Sequence, residues 1–320
     1  MNQPLLCVYH GNCDDGFGAA WAVRHAHPDT EFYAGAHGGK VPWGLIRGRD
    51  VVFVDFCYPA SIMKEVIDAA KSVLVLDHHK STMLDITEWT KKNPDFSSSQ
   101  WGTARTVIES SKAKFIFDMD RSGAMMAWDH YHAADQFRPL FIDYIQDHDL
   151  WTKKLDRINE FSAALRSYPM DFKVWDQFEV WKVFDQLLAD GAHILRYKRQ
   201  LVDSAVKNSF WVEIDVPDKT SVAECYLIKV RGANVVPAIV SEVGEELALR
   251  YGGIGLTWVE GRTLWNYQLR SRKVGEVEAP DVSKIAVALG GGGHAQASGF
   301  KTLHAVHRKW FPPKEDEDAE

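Results

Sequence analysis

Three short apolar runs within residues 1–80 each end in a side chain able to ligate a metal. Residues 5–9 run into His10, residues 51–54 into Asp55, and residues 73–76 into Asp77, His78 and His79. Runs this short are poor helices. Lacking polar alternate positions, they read as strands buried on both faces, as in the middle of a parallel sheet. Residues 17–25 and 60–70 between them carry helical patterns, and the alternation predicts β-α-β units with right-handed crossovers. Ligands of open α/β sheets gather outside the carboxyl ends of the strands, which is where all three runs place these residues.

Further along, residues 91–100 (Lys-Lys-Asn-Pro-Asp-Phe-Ser-Ser-Ser-Gln) read as a loop. Residues 122–134 are expected to be helical, and a helix over 139–146 would deliver Asp147, His148 and Asp149. Residues 174–210 are helix-like with an interruption at Gly191, and strands are expected at 223–230, 247–251, 254–259 and 264–269. At 320 residues the chain has the length of about two domains. The divisions expected are 1–173, a helical linker 174–211, a second domain 212–311, and an acidic tail 312–320 opening on Pro312-Pro313.

Composition removes several classes of function. A hydrophobic fraction of 46% with 25% charged residues is ordinary for a globular protein. No apolar run approaches the roughly 18 residues of a membrane span. The first residues lack the basic and apolar regions of a secretory signal, so a cytoplasmic protein is expected. Cys7, Cys13, Cys57 and Cys225 form no C-x-x-C pair. The formal net charge is −7, and residues 314–320 contribute much of it with one lysine against five acids. A groove for long nucleic acid ordinarily shows a basic excess, so no long duplex is expected as partner.

His10, Asp14, Asp15, Asp55, Asp77, His78 and His79, with Asp147, therefore form one candidate constellation. Taken singly, a strand-end Asp is usually a helix cap or turn residue, and His78 could be structural. His25, His27, His130 and His132 lie on helical stretches and are set aside. Taken together, carboxylates converging in one cleft would repel unless cations compensate. Mixed carboxylate and imidazole donors suit Mn²⁺, Fe²⁺ or Co²⁺ better than Mg²⁺. Two such ions about 3.5–4 Å apart can clamp the attacking and leaving oxygens of a phosphate ester.

In the C-terminal part, four consecutive glycines, 290–293, expose backbone N–H groups that suit a phosphate, although a flexible linker has the same composition. Arg270-Ser271-Arg272, at a predicted strand end, offers guanidinium groups for a terminal phosphate. Trp101, Trp151, Trp258 and Tyr267 offer rings on which a base could stack, although most of the twelve tryptophans are expected in the core.

Asp77-His78-His79 after an apolar strand, preceded by His10-Gly11-Asn12-Cys13-Asp14-Asp15-Gly16 and a strand-end Asp55, resembles the DHH phosphoesterase superfamily. Gly290-Gly291-Gly292-Gly293-His294-Ala295-Gln296-Ala297-Ser298-Gly299-Phe300 resembles the signature of its DHHA1 accessory domain. The resemblance implies an α/β fold: an N-terminal parallel-sheet domain with flanking helices, a helical linker, a smaller α/β domain and an active site in the interdomain cleft. It implies two divalent ions, manganese foremost, on His10, one or both of Asp14 and Asp15, Asp55 as the bridge, His78, and Asp147, which Asp149 could replace or support. His79 would contact the scissile phosphate, and Asp77 would orient a neighbouring histidine. Arg270, Ser271, Arg272, Gly291, Gly292, Gly293 and His294 would bind the distal part of the substrate. The first motif departs from the family's two aspartates separated by one residue, because Cys13 stands at the earlier position.

The activity implied is hydrolysis of short linear oligonucleotides (nanoRNase-like), or of the linear dinucleotides left by cyclic-dinucleotide breakdown, to mononucleotides through in-line attack by hydroxide. A homodimer is compatible with it. The rivals are a cyclic-dinucleotide phosphodiesterase, a single-strand exonuclease, a pyrophosphatase, and a non-catalytic nucleotide-binding module. Relatives acting on cyclic rings often carry membrane segments, and exonucleases a more basic surface. Pyrophosphate would not explain base-stacking rings, and a silent module would have lost ligands.

Overall fold

Both faces of the apolar runs are covered, and that is what makes them continuous rather than alternating. A computed structural model of the chain describes residues 3–101, 104–217 and 225–309; the acidic tail expected at 312–320 and the side chain of Trp101 lie outside the described residues. The chain divides into two units, Met1–Leu195 and Arg196–Glu320. Among the described residues no helix is long and apolar enough to cross a membrane.

The first unit runs β1 (Leu6–His10), α1 (Asp14–Ala26), β2 (Glu31–Gly35), α2 (Trp43–Ile46), β3 (Asp50–Val54), α3 (Ala60–Ala69), β4 (Ser72–Asp77) and α4 (Lys80–Thr90). It continues with β5 (Ser97–Trp101), β6 (Arg105–Glu109), β7 (Ala113–Asp118), α5 (Gly123–Tyr131), α6 (Leu140–Asp149), α7 (Ile158–Leu165) and α8 (Phe172–Trp175), and α9 (Trp181–Lys207) begins in it and ends in the second unit. The sheet order is β2-β1-β3-β4-β7-β6-β5. The first five strands are mutually parallel, whereas β6 and β5 run antiparallel at one edge, so the sheet is mixed rather than wholly parallel.

Strand β5 occupies residues expected to form a loop. It is a polar edge strand that satisfies its backbone on β6 without burying an apolar face. Cys7, Val52, Val54 and Leu76 pack on one side with Phe17 and Trp21 of α1, Ala124 and Trp128 of α5 and Phe141 of α6. Leu6, Val8, Val51, Phe53, Val73 and Val75 pack on the other with Met63 and Val66 of α3 and Ile86 of α4.

The chain leaves β1 for β2 on one side and returns to β3 on the other. The carboxyl ends of β1 and β3 therefore flank a topological switch point, where such sheets bind ligands. His10 closes β1 and Asp55 follows β3 directly.

The second unit carries β8 (Phe210–Pro217), β9 (Cys225–Asn234), α10 (Val240–Arg250), β10 (Ile254–Glu260), β11 (Trp265–Ser271), α11 (Val282–Ala288), β12 (Gly292–His294), β13 (Ala297–Thr302) and β14 (His307–Lys309). Its sheet, ordered β12-β13-β11-β10-β9-β8-β14, is antiparallel except between β9 and β10. Residues 247–250, expected in a strand, are the end of α10. Leu247 packs beside Val240 and Val243, a helical spacing that outweighs the local apolar run.

Helix α9 passes through Gly191 without a break. A Cβ there would stand 1.9 Å from the carbonyl oxygen of Glu160 in α7, so the glycine marks a close helix approach rather than an interruption. Gly191→Val should accordingly destabilise the protein by about 2–3 kcal/mol in urea unfolding. Ala192→Val, at an exposed neighbouring position, should cost no more than about 1 kcal/mol. Equal effects would refute the close-approach explanation.

Candidate metal centre

Asp55 turns the chain at the end of β3 in the left-handed region, with φ at 54°, a conformation uncommon for a residue other than glycine. Its carboxylate is 2% exposed and lies 3.1 Å from His78 Nε2, 3.4 Å from His10 Nδ1 and 3.9 Å from His79 Nδ1. His78 Nε2 is also 3.6 Å from Asp15 Oδ2 and 3.5 Å from Asp149 Oδ2.

Two glycines allow this density. A Cβ on Gly16 would come within 2.3 Å of the His10 carbonyl oxygen, and one on Gly123 within 2.4 Å of the Asp55 Cβ. Asp15 is held in place by backbone N–H groups of Gly123 (2.6 Å) and Ala124 (2.9 Å) in the first turn of α5, donors that a helix start leaves without intrahelical partners.

Asp77 is fully buried and folds back over its own turn. Its Oδ1 accepts the backbone N–H groups of His78 (2.8 Å) and His79 (3.2 Å) and lies 2.6 Å from His79 Nδ1. The second carboxylate thus fixes the orientation of the His79 ring, leaving Nε2 as that ring's other nitrogen for external contacts.

The structure gathers these side chains into three groups of donor atoms, each within 4.8 Å: His10, Cys13 and Asp55; Asp55, His78 and His79; Asp15, His78 and Asp149. Two expected ligands are not brought in. Asp14 belongs to none of these groups and pairs with Arg166 at 3.1 Å. Asp147 accepts the Thr152 hydroxyl and the backbone N–H groups of Lys154 (2.9 Å) and Leu155 (3.0 Å), so it ties down the loop after α6. Asp149 stands in the cluster instead. His37, just past β2, lies with its ring 5.5 Å from that of His10. Reading the sequence missed it because β2 is only weakly apolar, and only recognition of that strand would have exposed a fourth strand-end residue.

Electrostatics follow from this crowding. Burial opposes charge on Asp55, yet the adjoining His10 and His78 hold its carboxyl well below the usual range. Burial, then the charges of Asp55 and Asp149, pushes Asp15 far up. Asp149 is also raised, by burial first, against the opposing influence of His78. For His78 burial works against the cation, but Asp55, Asp15 and Asp149 outweigh it and lift the imidazole to about 9. His79 is raised chiefly by its hydrogen bond to Asp77. Burial, with Asp55 next, pushes the Cys13 thiol up to about 12.

Shifts in these directions mark a cluster of anionic donors whose compensating charge a divalent cation could carry. His10 Nδ1 is buried without a well-formed hydrogen bond, the Asp55 carboxylate lying 3.4 Å away. Imidazole, carboxylate and thiol donors fit divalent transition-metal ions.

In the second unit, Arg270, Gly291, Gly292 and Gly293 line a cavity of about 550 Å³ with Asn266, Gln268 and Lys301. The glycine run is only partly open: Gly290 and Gly291 donate to the carbonyls of Val287 and Ala286, closing α11, and Gly292 to His294 form the edge strand β12. Arg270 donates to Ser241 Oγ (2.8 Å) and Gln268 Oε1 (3.1 Å). Arg272 is instead paired with Glu245 at 2.9 Å, Ser271 is buried, and His294 is exposed away from the cavity lining. Trp258 and Tyr267 are core residues, whereas Trp151 is 68% exposed.

These features define a candidate divalent-metal centre at the switch point of an α/β sheet. No family model matches the chain. An uncharacterised protein of Acanthamoeba polyphaga mimivirus, R106, is 27% identical over 318 residues, covering 93% of this chain and 68% of that protein. Among solved structures, a pGpG-specific phosphodiesterase, PggH, from Vibrio cholerae is 11% identical, covering 94% of this chain and 93% of its own, with a TM-score of 0.49. An uncharacterised protein from Helicobacter pylori G27 is 12% identical over 96% and 95% of the two chains, with a TM-score of 0.38.

Asp149 and Asp147 separate ligation from scaffolding. Asp149→Asn should lower Mn²⁺ affinity at least about ten-fold in calorimetry while the unfolding free energy of the chelated protein holds. Asp147→Asn should instead destabilise by about 1–3 kcal/mol. The reverse pattern would return the ligand role to Asp147.

Proposed function

We propose that the protein is a metal-dependent phosphodiesterase that hydrolyses short linear oligonucleotides, linear dinucleotides included, to mononucleotides. The observation that carries this reading is the position of Asp55, whose carboxylate belongs at once to the donor group of His10 and Cys13 and to that of His78 and His79. One buried carboxylate shared by two donor groups suits a pair of ions on either side of it. His10 and Asp55 would hold one ion, and Asp15, His78 and Asp149, with Asp55 between, the other. Bound there, divalent ions supply charge neutralisation to a phosphodiester and acidify water.

The remaining chemistry belongs to side chains. Asp77 orients His79 and favours its protonated form, so that the imidazolium can donate to a phosphoryl oxygen as negative charge grows there. In the second unit, Arg270 and Lys301 beside the glycine run give the 550 Å³ cavity the chemistry of an anion subsite. Exposed Trp151, two residues after Asp149, offers a ring to a base. The net charge of −7 supports a short substrate over a long one.

The test is product formation from a linear dinucleotide, its cyclic form, a long single strand and pyrophosphate, each with Mn²⁺ or excess chelator. Mononucleotides should come from the linear dinucleotide, vanish on chelation, and fall by about 10²-fold or more in kcat with His79→Ala. Preferred turnover of any other substrate would overturn the substrate class. Failure to turn over any of them with metal present would overturn the enzymatic reading.

A further inference from the structure

The residue that departs from the family pattern is also the one the fold turns inward. Asn12 adopts a left-handed conformation, with φ at 57°, directly after β1 and Gly11. Cys13 follows in an extended conformation at the cap position of α1. The Cys13 sulfur joins His10 and Asp55 within 4.8 Å, whereas the Asp14 carboxylate stands outside that group and pairs with Arg166. Where an oxygen ligand would be expected, the cluster has sulfur.

Cys13 differs from the other free cysteines of the described residues. Cys7 and Cys57 are each buried in the apolar packing on one face of the sheet, without imidazole or carboxylate partners for ligation. Cys13 is half-buried and lines a cavity of about 300 Å³ with Asn12, Asp14, Arg166, Tyr168 and Met170. The neighbouring donors complete the set: His10 Nδ1 is buried without a well-formed hydrogen bond, and the Asp55 carboxylate lies 3.4 Å from it. An imidazole nitrogen, a thiol and a carboxylate are three donors arranged around one position.

We propose that Cys13 is a metal ligand, binding through its sulfur the ion held by His10 and Asp55, and that it makes this position selective for a borderline-soft ion such as Zn²⁺, Co²⁺ or Fe²⁺. Thiolate and imidazole favour such ions, whereas carboxylates with a single imidazole suit Mn²⁺. The group of Asp15, His78 and Asp149 contains no sulfur, so the centre has two unlike positions, and manganese is the expected ion at that second one only. The proposal rests on the reading of the cluster as a metal centre.

Cobalt addition to the chelator-stripped protein tests both readings separately. Co²⁺ bound to any part of the cluster gives visible d–d bands, and a cobalt–thiolate bond adds a charge-transfer band in the near ultraviolet. Wild type should show both. Cys13→Ser and Cys13→Asp should keep d–d bands and lose the charge-transfer band, and Cys13→Asp should lower the Zn²⁺-over-Mn²⁺ preference at least about ten-fold. Wild-type d–d bands without charge transfer, or a charge-transfer band that survives Cys13→Ser, would overturn the role of Cys13 and leave the metal centre standing. No d–d bands in any variant would overturn the metal centre itself, and the thiolate with it.

Discussion

Burying an ionised carboxylate to 2% exposure costs several kcal/mol unless opposite charge stands next to it, and Asp55 is met by His10 and His78. Much of the first unit serves that encounter. Parallel pairing brings the ends of β1, β3 and β4 to one edge of the sheet, so that His10, Asp55 and the Asp77-His78-His79 turn come together from segments far apart in sequence. The left-handed turn at Asp55 directs the carboxylate, and the missing side chains of Gly16 and Gly123 let α1 and α5 close on it. Asp15 is bonded into the start of α5, and so adds a second buried carboxylate on a rigid support.

The same crowding explains why the centre calls for cations. Protons can neutralise Asp15 and Asp149, or charge His78 and His79 beside the carboxylates, one at a time, but each proton occupies a donor atom. A divalent ion satisfies several donors at once and carries the compensating charge between them. The buried nitrogen of His10, 3.4 Å from the Asp55 carboxylate without a well-formed hydrogen bond, is the local sign of a position that the protein's own hydrogen bonds do not fill.

What reading the sequence could see depended on whether backbone direction followed from residue type. The strand ends at His10, Asp55, Asp77, His78 and His79 were legible, because short apolar runs fix both the strand and its exit. The choice between Asp147 and Asp149 was not. Helix α6 continues to Asp149 rather than stopping at 146, and two helical positions differ by about 200° in direction. Cys13 and Asp14 exchange places through a single left-handed residue, Asn12, which carries no unambiguous sequence signal. His37 was hidden behind β2, and β5 behind its serines, because neither strand is apolar enough to announce itself. In the second unit the glycine run looked like an open loop, but its first two N–H groups close α11, and Arg272 is taken up by Glu245. Such competition for donors and charges depends on neighbours distant in the chain.

The most direct measurement of the central claim is the electron paramagnetic resonance of the chelator-stripped protein loaded with excess Mn²⁺ and no softer ion, so that manganese also fills the position that prefers Zn²⁺, Co²⁺ or Fe²⁺. Two ions about 3.5–4 Å apart across the Asp55 carboxylate should give an exchange-coupled spectrum that collapses to isolated-ion signals in Asp55→Asn. Uncoupled six-line signals in the wild-type protein at full occupancy would contradict a centre bridged by Asp55.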